Sequence, residues 1–271
     1  MQNFEKWQGC GNDFVIIDGR SNFNIDDAEK ISQICDRHFG IGADGVIYVL
    51  PSKVAAVRMR IFNADGSEAE MCGNGLRCFT KYLLDELGKE SLSVETGAGI
   101  LTVRLNEDLV TVDMGAPILD AEKIPVKGYG KNHVVAEKIE VDGKIFEMTC
   151  VSMGNPHCVV FVDDLKKIDL EKIGPQFETH QKFPRKTNTE FVQVVGENEL
   201  QMRVWERGSG ITLACGTGAC ATAVAANLNG LAGKNSIVHL DGGDLQIEWQ
   251  NDNHVYMTGA AKRVFVGQFD F

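Results

Sequence analysis

Apolar and polar residues alternate along Val57 to Phe62, Leu101 to Leu105, Leu109 to Asp113, Leu200 to Trp205 and Leu245 to Trp249, the period of half-buried strands. The period becomes helical at Leu76, Phe79, Leu83 and Leu87, and again at Cys220, Val224, Leu228 and Leu231, with Gly88 and Gly233 as stops. A further helix is predicted from Asp26 to Phe39, with a shorter counterpart from Asp164 to Phe177. Strands dominate, and the two stronger helices are apolar on more than one side. That pattern places each helix inside a curved sheet.

The pattern occurs twice. Met59-Arg60-Ile61-Phe62 leads to Met71-Cys72-Gly73-Asn74-Gly75, and Met202-Arg203-Val204-Trp205 leads to Ala214-Cys215-Gly216-Thr217-Gly218; the offsets 203 − 60 and 215 − 72 are both 143. Gly11-Asn12-Asp13-Phe14 and Gly154-Asn155-Pro156-His157 keep the same step, and Gly99 with Gly243 and Gly115 with Gly259 differ from it by one inserted residue. A register kept over most of the chain identifies two homologous units. The boundary is expected near Ala116-Pro117, where a proline follows the first repeat's closing glycine. Val264-Phe265-Val266 lies beyond the second repeat and is expected to return to a sheet of the first. The fold class is therefore α+β: two pseudo-symmetric domains, residues 1–115 plus 260–271 and residues 116–259, each a mixed, curved, barrel-like sheet around a central helix.

Length and charge fit this picture. At 271 residues the chain suits two domains of ordinary size, and a net charge of −11 without long charged blocks argues against nucleic acid or an anionic membrane as partner. No run reaches the roughly 18 apolar residues of a membrane helix. The opening Met1-Gln2-Asn3-Phe4-Glu5-Lys6 runs into strand-like sequence with no visible leader. Eight cysteines are too few for a disulfide scaffold at this length and form no Cys-x-x-Cys pair. Reduced thiols, a cytoplasmic location and no metal site are the expectation.

The repeated cysteine turn carries the chemistry. In both copies a strand leads to cysteine, glycines and a helix, so each thiol stands at a helix N-terminus, where unpaired N–H groups and the helix dipole favour thiolate over the free value of about 8.5. Glycines let a small ligand approach, and the N–H groups after Cys72 and Cys215 can hold a carboxylate. One thiolate can then remove a weakly acidic α-proton while the other thiol protonates the opposite face. Cys35, Cys78, Cys150, Cys158 and Cys220 read as small buried hydrophobes. Cys10 precedes a Gly-Asn turn and has Met153 as its counterpart, which leaves its role open. An asparagine in a Gly-Asn turn commonly serves its backbone. His157 can equally be a hydrogen-bonded structural residue, and Glu206-Arg207 a surface pair.

Taken together, Gly11-Asn12-Asp13-Phe14, Asn63-Ala64-Asp65-Gly66-Ser67, Cys72-Gly73-Asn74-Gly75 with Arg77-Cys78, Met153-Gly154-Asn155-Pro156-His157, Trp205-Glu206-Arg207-Gly208 and Ala214-Cys215-Gly216-Thr217-Gly218-Ala219-Cys220 closely resemble the diaminopimelate epimerase family. The resemblance implies interconversion of LL- and meso-diaminopimelate without pyridoxal phosphate or metal. It implies that Cys72 and Cys215 are catalytic, that Gly73, Asn74, Gly216 and Thr217 hold the reacting carboxylate, and that Asn12, Asn63, Asn155, Asn188 and Arg207 bind the far end. Glu206 joins that polar pocket, and His157 and Glu206 match residues thought to tune the thiols. It also implies a homodimer. Two positions depart from the family pattern: Ile211 stands where an acidic residue is expected, and Gly45 where some members carry a glutamine.

The active site is expected in the cleft between the domains, closing on substrate to exclude water. Three alternatives remain at this stage. Another cofactor-free racemase, such as a proline racemase relative, would leave Asn63, Asn188 and Arg207 without a charged group to hold. A binding protein would keep its ligand without Cys72, and a thiol-disulfide protein would use the two cysteines as a redox pair.

Overall fold

A computed structural model describes residues 1–21 and 27–270. The chain divides into two compact units, Met1–Asp113 with the C-terminal stretch from Thr258, and Met114–Met257. In the first unit the strands are β1 (Gln2–Gly9), β2 (Asn12–Asp18), β3 (Gly45–Leu50), β4 (Val57–Asn63), β5 (Glu68–Ala69), β6 (Ser91–Thr96), β7 (Gly99–Asn106) and β8 (Leu109–Asp113), with helices α1 (Ala28–Cys35) and α2 (Gly73–Leu87). In the second they are β9 (Glu137–Val141), β10 (Lys144–Ser152), β11 (Pro156–Phe161), β12 (Asn188–Gly196), β13 (Glu199–Glu206), β14 (Gly210–Thr212), β15 (Asn235–Leu240) and β16 (Gly243–Trp249), with α3 (Leu170–Glu178) and α4 (Gly216–Leu228). β17 (Val255–Ala260) follows, and β18 (Lys262–Phe269) pairs antiparallel with β1 from Gln2↔Phe269 to Gln8↔Lys262.

Each unit is a mixed, curved sheet around one helix, as the periodicity predicts. Parallel pairs β2–β3 and β4–β6 in the first unit correspond to β11–β12 and β13–β15 in the second. The register also repeats: Phe14 lies opposite Gly45, and His157 opposite Asn188. The first two turns of α2 are buried on all sides, and α4 is buried from Ala219 to Ala226. α4, enclosed in this way, carries no polar face, which is why its sequence lacks a clean amphipathic stripe, whereas α2 turns Asp85 and Glu86 to solvent beyond its second turn. Among the described residues no helix is long and apolar enough to cross a membrane.

Three helix boundaries differ from the sequence reading. α4 ends at Leu228, not at Gly233, because Asn229 caps it and Gly230 turns left-handed at φ 69°. The segment expected to be helical from Asp164 to Phe177 breaks into a single 3-10 turn, Leu165–Lys167, and then α3; Asp169 starts the second piece by accepting from the Lys172 amide. α1 stops at Cys35, since the Asp36 side chain accepts from the amides of His38 and Phe39 and bends the chain away. Its expected start, Asp26, lies outside the described residues.

The buried thiols set an alkaline limit to stability. Burial pushes Cys35 up to about 11 and Cys78 up to about 12 from the usual 9.0, and Tyr82 up to about 12 from 10.0. Above pH 9 the unfolded chain releases protons that the folded chain retains, so stability is full below that pH and is lost as pH rises towards 12. Melting temperature should be level up to about pH 8.5 and fall steadily beyond. A curve that stays flat to about pH 11 would contradict this assignment.

Candidate active site

In the first unit Cys72 is the N-cap of α2, extended at φ −140°, and its O accepts from the Leu76 amide at 2.8 Å. Its thiol is partly exposed and donates to Asn12 Oδ1 at 3.7 Å. The same oxygen accepts from Asn74 Nδ2 at 3.2 Å, and Asn12 Nδ2 donates to Asp44 Oδ2 at 2.7 Å. Asp44 therefore decides which way the Asn12 amide faces: a carboxylate takes the NH₂ end and leaves the oxygen for Cys72 and Asn74. Arg37 bridges Asp44 and Asp13, each at 2.7 Å, and buried Lys6 pairs with Asp13 at 2.7 Å. Burial would raise Asp13, but the bonds from Arg37 and Lys6 outweigh it and hold the carboxyl far below the usual carboxylate range.

In the second turn of α2, Arg77 is fully buried. It donates to Asn74 Oδ1 at 3.0 Å, to Cys10 Sγ at 3.4 Å and to Ala260 O at 3.4 Å. Cys10, left open by the sequence, thus serves as an acceptor for this guanidinium from a left-handed turn at φ 53°. Asn63 ends β4, is exposed, and donates to Ser67 Oγ at 3.0 Å.

The second unit repeats the arrangement around a different charge. Cys215 is the N-cap of α4 at φ −119°, and its O accepts from the Ala219 amide at 2.9 Å. The thiol is buried, accepts from the Gly218 amide at 3.3 Å and lies 3.5 Å from Thr217 Oγ1. Helix geometry leaves the first-turn N–H groups of Gly73 in α2 and of Gly216 and Thr217 in α4 without intrahelical acceptors, so both ends suit an anion. Burial pushes the Cys215 thiol well above its usual value, and the nearby Glu206 and Glu190 push it further; Thr217 and the Gly218 amide pull weakly the other way.

Glu206 ends β13 and accepts from Thr212 Oγ1 at 2.5 Å. Burial raises its carboxyl above the usual value despite that bond. The surface-pair reading of Glu206-Arg207 does not hold, because Arg207 directs Nη1 to Arg185 O at 3.1 Å and is exposed. Asn188 is buried; its Nδ2 donates to Pro156 O at 2.9 Å and its Oδ1 accepts from the Arg207 amide at 2.9 Å. Glu178 secures the same turn by accepting from Trp205 Nε1 at 2.7 Å and from the Gly208 amide at 3.2 Å. His157 is fully buried, with Nδ1 2.7 Å from Glu190 Oε1 and Nε2 2.9 Å from Asn155 Oδ1.

The structure thus brings Asn12, Cys72 and Asn74 into contact in one unit, and Asn155 with His157 and Glu206 with Cys215 in the other. Asp44, Glu190 and Thr212 were not singled out from the sequence, and Arg77 appeared only within a motif. Glu190 had a readable signal: it stands in a buried strand where its repeat counterpart, Ile47, is apolar. Gly45 has a steric reason, since a Cβ there would lie 2.4 Å from Phe62 O. Ile211 lies on β14 opposite Trp205, and nothing in the structure explains its departure from the family pattern.

With this geometry in hand, relatives are informative. Residues 4–119 and 149–264 match the family described as diaminopimelate epimerase. A diaminopimelate epimerase of Desulfitobacterium hafniense is 56% identical over 272 residues, covering 97% of this chain and 96% of that protein. One from Methanococcus maripaludis is 50% identical over 276 residues, covering 98% and 99%. Among solved structures, a Bacillus anthracis phenazine biosynthesis protein of the PhzF family superposes with TM-score 0.70 at 20% identity, covering 100% of this chain and 99% of that one. A hydroxyproline epimerase from Agrobacterium vitis superposes with TM-score 0.67 at 13% identity, covering 98% and 91%. These two similarities concern the fold.

Proposed function

Because this chain belongs to the diaminopimelate epimerase family, we propose that Cys72 and Cys215 are the two thiols that invert its substrate. The enzyme is an isomerase that interconverts LL-2,6-diaminopimelate and meso-diaminopimelate, in lysine and peptidoglycan precursor biosynthesis, by two-cysteine proton exchange at the α-carbon. The observation that carries the residue assignment is the matched pair of N-caps: one cysteine starts α2, the other starts α4, and each is followed by glycine.

Starting from one isomer, the Cys72 thiolate takes the α-proton and charge spreads into the adjoining carboxylate. Donors at Gly73, Asn74, Gly216 and Thr217 stabilise that charge as it develops. The Cys215 thiol then gives its proton to the opposite face. One C–H bond has broken and one has formed; Cys72 ends as thiol and Cys215 as thiolate, ready for the other isomer. The high thiol value at Cys215 suits the group that starts with the proton. Asn12, Asn63, Asn155, Asn188 and Arg207 take the distal amino-acid end with Glu206, while His157 and Glu206 set the electrostatics of the thiols. No cofactor or metal enters these steps.

The test is direct. Purified protein in dithiothreitol, without added pyridoxal phosphate, should convert LL-diaminopimelate to the meso isomer and leave trans-4-hydroxy-L-proline untouched. Failure to form meso product with all thiols reduced would overturn the reading.

We place the enzyme in the cytoplasm, in keeping with eight cysteines that carry thiols and no disulfide. We also propose a homodimer that buries β18, whose Val264, Phe265 and Val266 are 57%, 45% and 62% exposed. Light scattering should give about twice the 29.7 kDa chain mass for the native protein. Phe265→Asp should give a monomer, and a native mass of one chain would remove the dimer.

A further inference from the structure

The two repeats pack the same position in opposite ways. Under the first turn of α2, a Cβ on Gly75 would meet Ile61 Cδ1 at 2.9 Å, Ile47 Cδ1 at 3.1 Å and Phe14 Cζ at 3.4 Å. Under α4, a Cβ on Gly218 would meet Glu190 Oε1 at 2.7 Å and Cys215 Sγ at 3.2 Å. The positions correspond: 218 − 75, 190 − 47 and 157 − 14 are all 143, so His157 and Glu190 replace Phe14 and Ile47. Register agrees, with Ile47 opposite Ile16 across β2–β3 and Glu190 opposite Val159 across β11–β12.

An apolar pair is therefore sufficient for this fold. Burying a carboxylate instead is costly, and Glu190 is fully buried, with one oxygen on His157 Nδ1 and Oε2 lacking a hydrogen-bond partner. A two-thiol reaction supplies the reason. Duplication yields two like thiols at two like helix ends, whereas inversion needs one thiolate and one thiol at the start of each turnover.

Building on the two-thiol reading above, we infer that Glu190 is a positioning residue that makes the thiols unequal: its buried carboxylate beside the α4 N-terminus keeps the proton on Cys215 and holds the His157 ring by Nδ1. The charged groups acting on Cys215 are Glu206 on β13 and Glu190 on β12, and His157 on β11 stands beside Glu190. Glu190 acts against the helix end, which by itself favours thiolate. Through His157 Nε2 it also fixes Asn155 at the start of β11.

The experiment follows alkylation of Cys215 by iodoacetamide against pH, in a Cys72→Ser background, with and without Glu190→Gln. Glu190→Gln should lower the midpoint by about one pH unit, a tenfold rise in thiolate at a given pH. In the otherwise native enzyme it should lower kcat about 30-fold with little change in KM, and Glu190→Asp should recover part of both. His157→Phe with Glu190→Ile, the packing of the first repeat, covers the case in which Glu190→Gln does not fold. It should keep or raise the melting temperature and show the same lowered midpoint. A purely structural Glu190 would change melting temperature and leave the Cys215 midpoint in place, and an unshifted midpoint in the folded variants overturns the inference even if turnover falls. That failure is distinct from failure of the two-thiol reading, in which Cys215→Ala itself would keep epimerising.

Discussion

Cys72→Ala and Cys215→Ala should each lower kcat for epimerisation by about 10³-fold, the scale of removing a positioned general acid or base. The double variant should be no slower than either single one, because in the proposed reaction the two thiols act as a unit and losing one would already break the proton path. Structural damage should be small and unequal. Cys72 makes no side-chain cap bond, whereas Cys215 accepts from the Gly218 amide. Cys215→Ala should therefore cost about 1 kcal/mol, the scale of a lost cap, and Cys72→Ala less. Steady-state kinetics beside thermal melts separate the two effects. Either single variant keeping a tenth of native turnover would be incompatible with a two-thiol site.

The largest stability effect is expected at Arg77. Its guanidinium is fully buried and holds three acceptors, Asn74 Oδ1, Cys10 Sγ and Ala260 O, so that it ties the start of α2 to the returning C-terminal segment. Arg77→Met leaves those acceptors buried without their donor, at a cost of about 3 kcal/mol. For a chain of this size that is a melting temperature lower by roughly 10 °C. Arg77→Lys should rescue little, since an ammonium on a flexible stem cannot reproduce a planar fork aimed at three atoms. Because Arg77 orients Asn74, and Asn74 shares Asn12 Oδ1 with the Cys72 thiol, the folded fraction should also show a raised KM. A melt within about 2 °C of native would show that the three acceptors find other donors.

Strands β4, β7, β8, β13 and β16 were legible in the sequence by their period of two, whereas β3, β11 and the first half of β12 are buried on both faces and show no such alternation. Both cysteine-capped helices were legible for another reason: each motif occurs twice, and a pattern ambiguous once is constrained by its copy. The misplaced boundaries come from polar side chains turned on the backbone. Asp36, Asp169 and Asn229 end or start helices through hydrogen bonds that hydrophobic spacing does not register.

Around the thiols, residues named by motif were visible, whereas those acting from behind were not. Asp44 is sequence-distant from Asn12, and only the parallel pairing of β2 with β3 brings the two together. Arg77 resembles any helix arginine until α2 proves to be enclosed. Glu190 is the instructive case, because alignment of the repeats places a carboxylate against an isoleucine in a buried strand. Pseudo-symmetry makes such a substitution conspicuous once the strand is known to be buried on both faces.

The most direct test of the central claim is where solvent label appears first. LL-diaminopimelate is incubated with native enzyme in heavy water, the reaction is stopped within the first few per cent of conversion, and the two isomers are separated and weighed by mass spectrometry. Two thiols on opposite faces predict meso product carrying one deuterium at the inverted carbon, while recovered LL substrate remains unlabelled. Deuterium appearing equally in recovered substrate and product, or product that retains the original proton, would mean that a single group serves both faces and would contradict the assignment of Cys72 and Cys215.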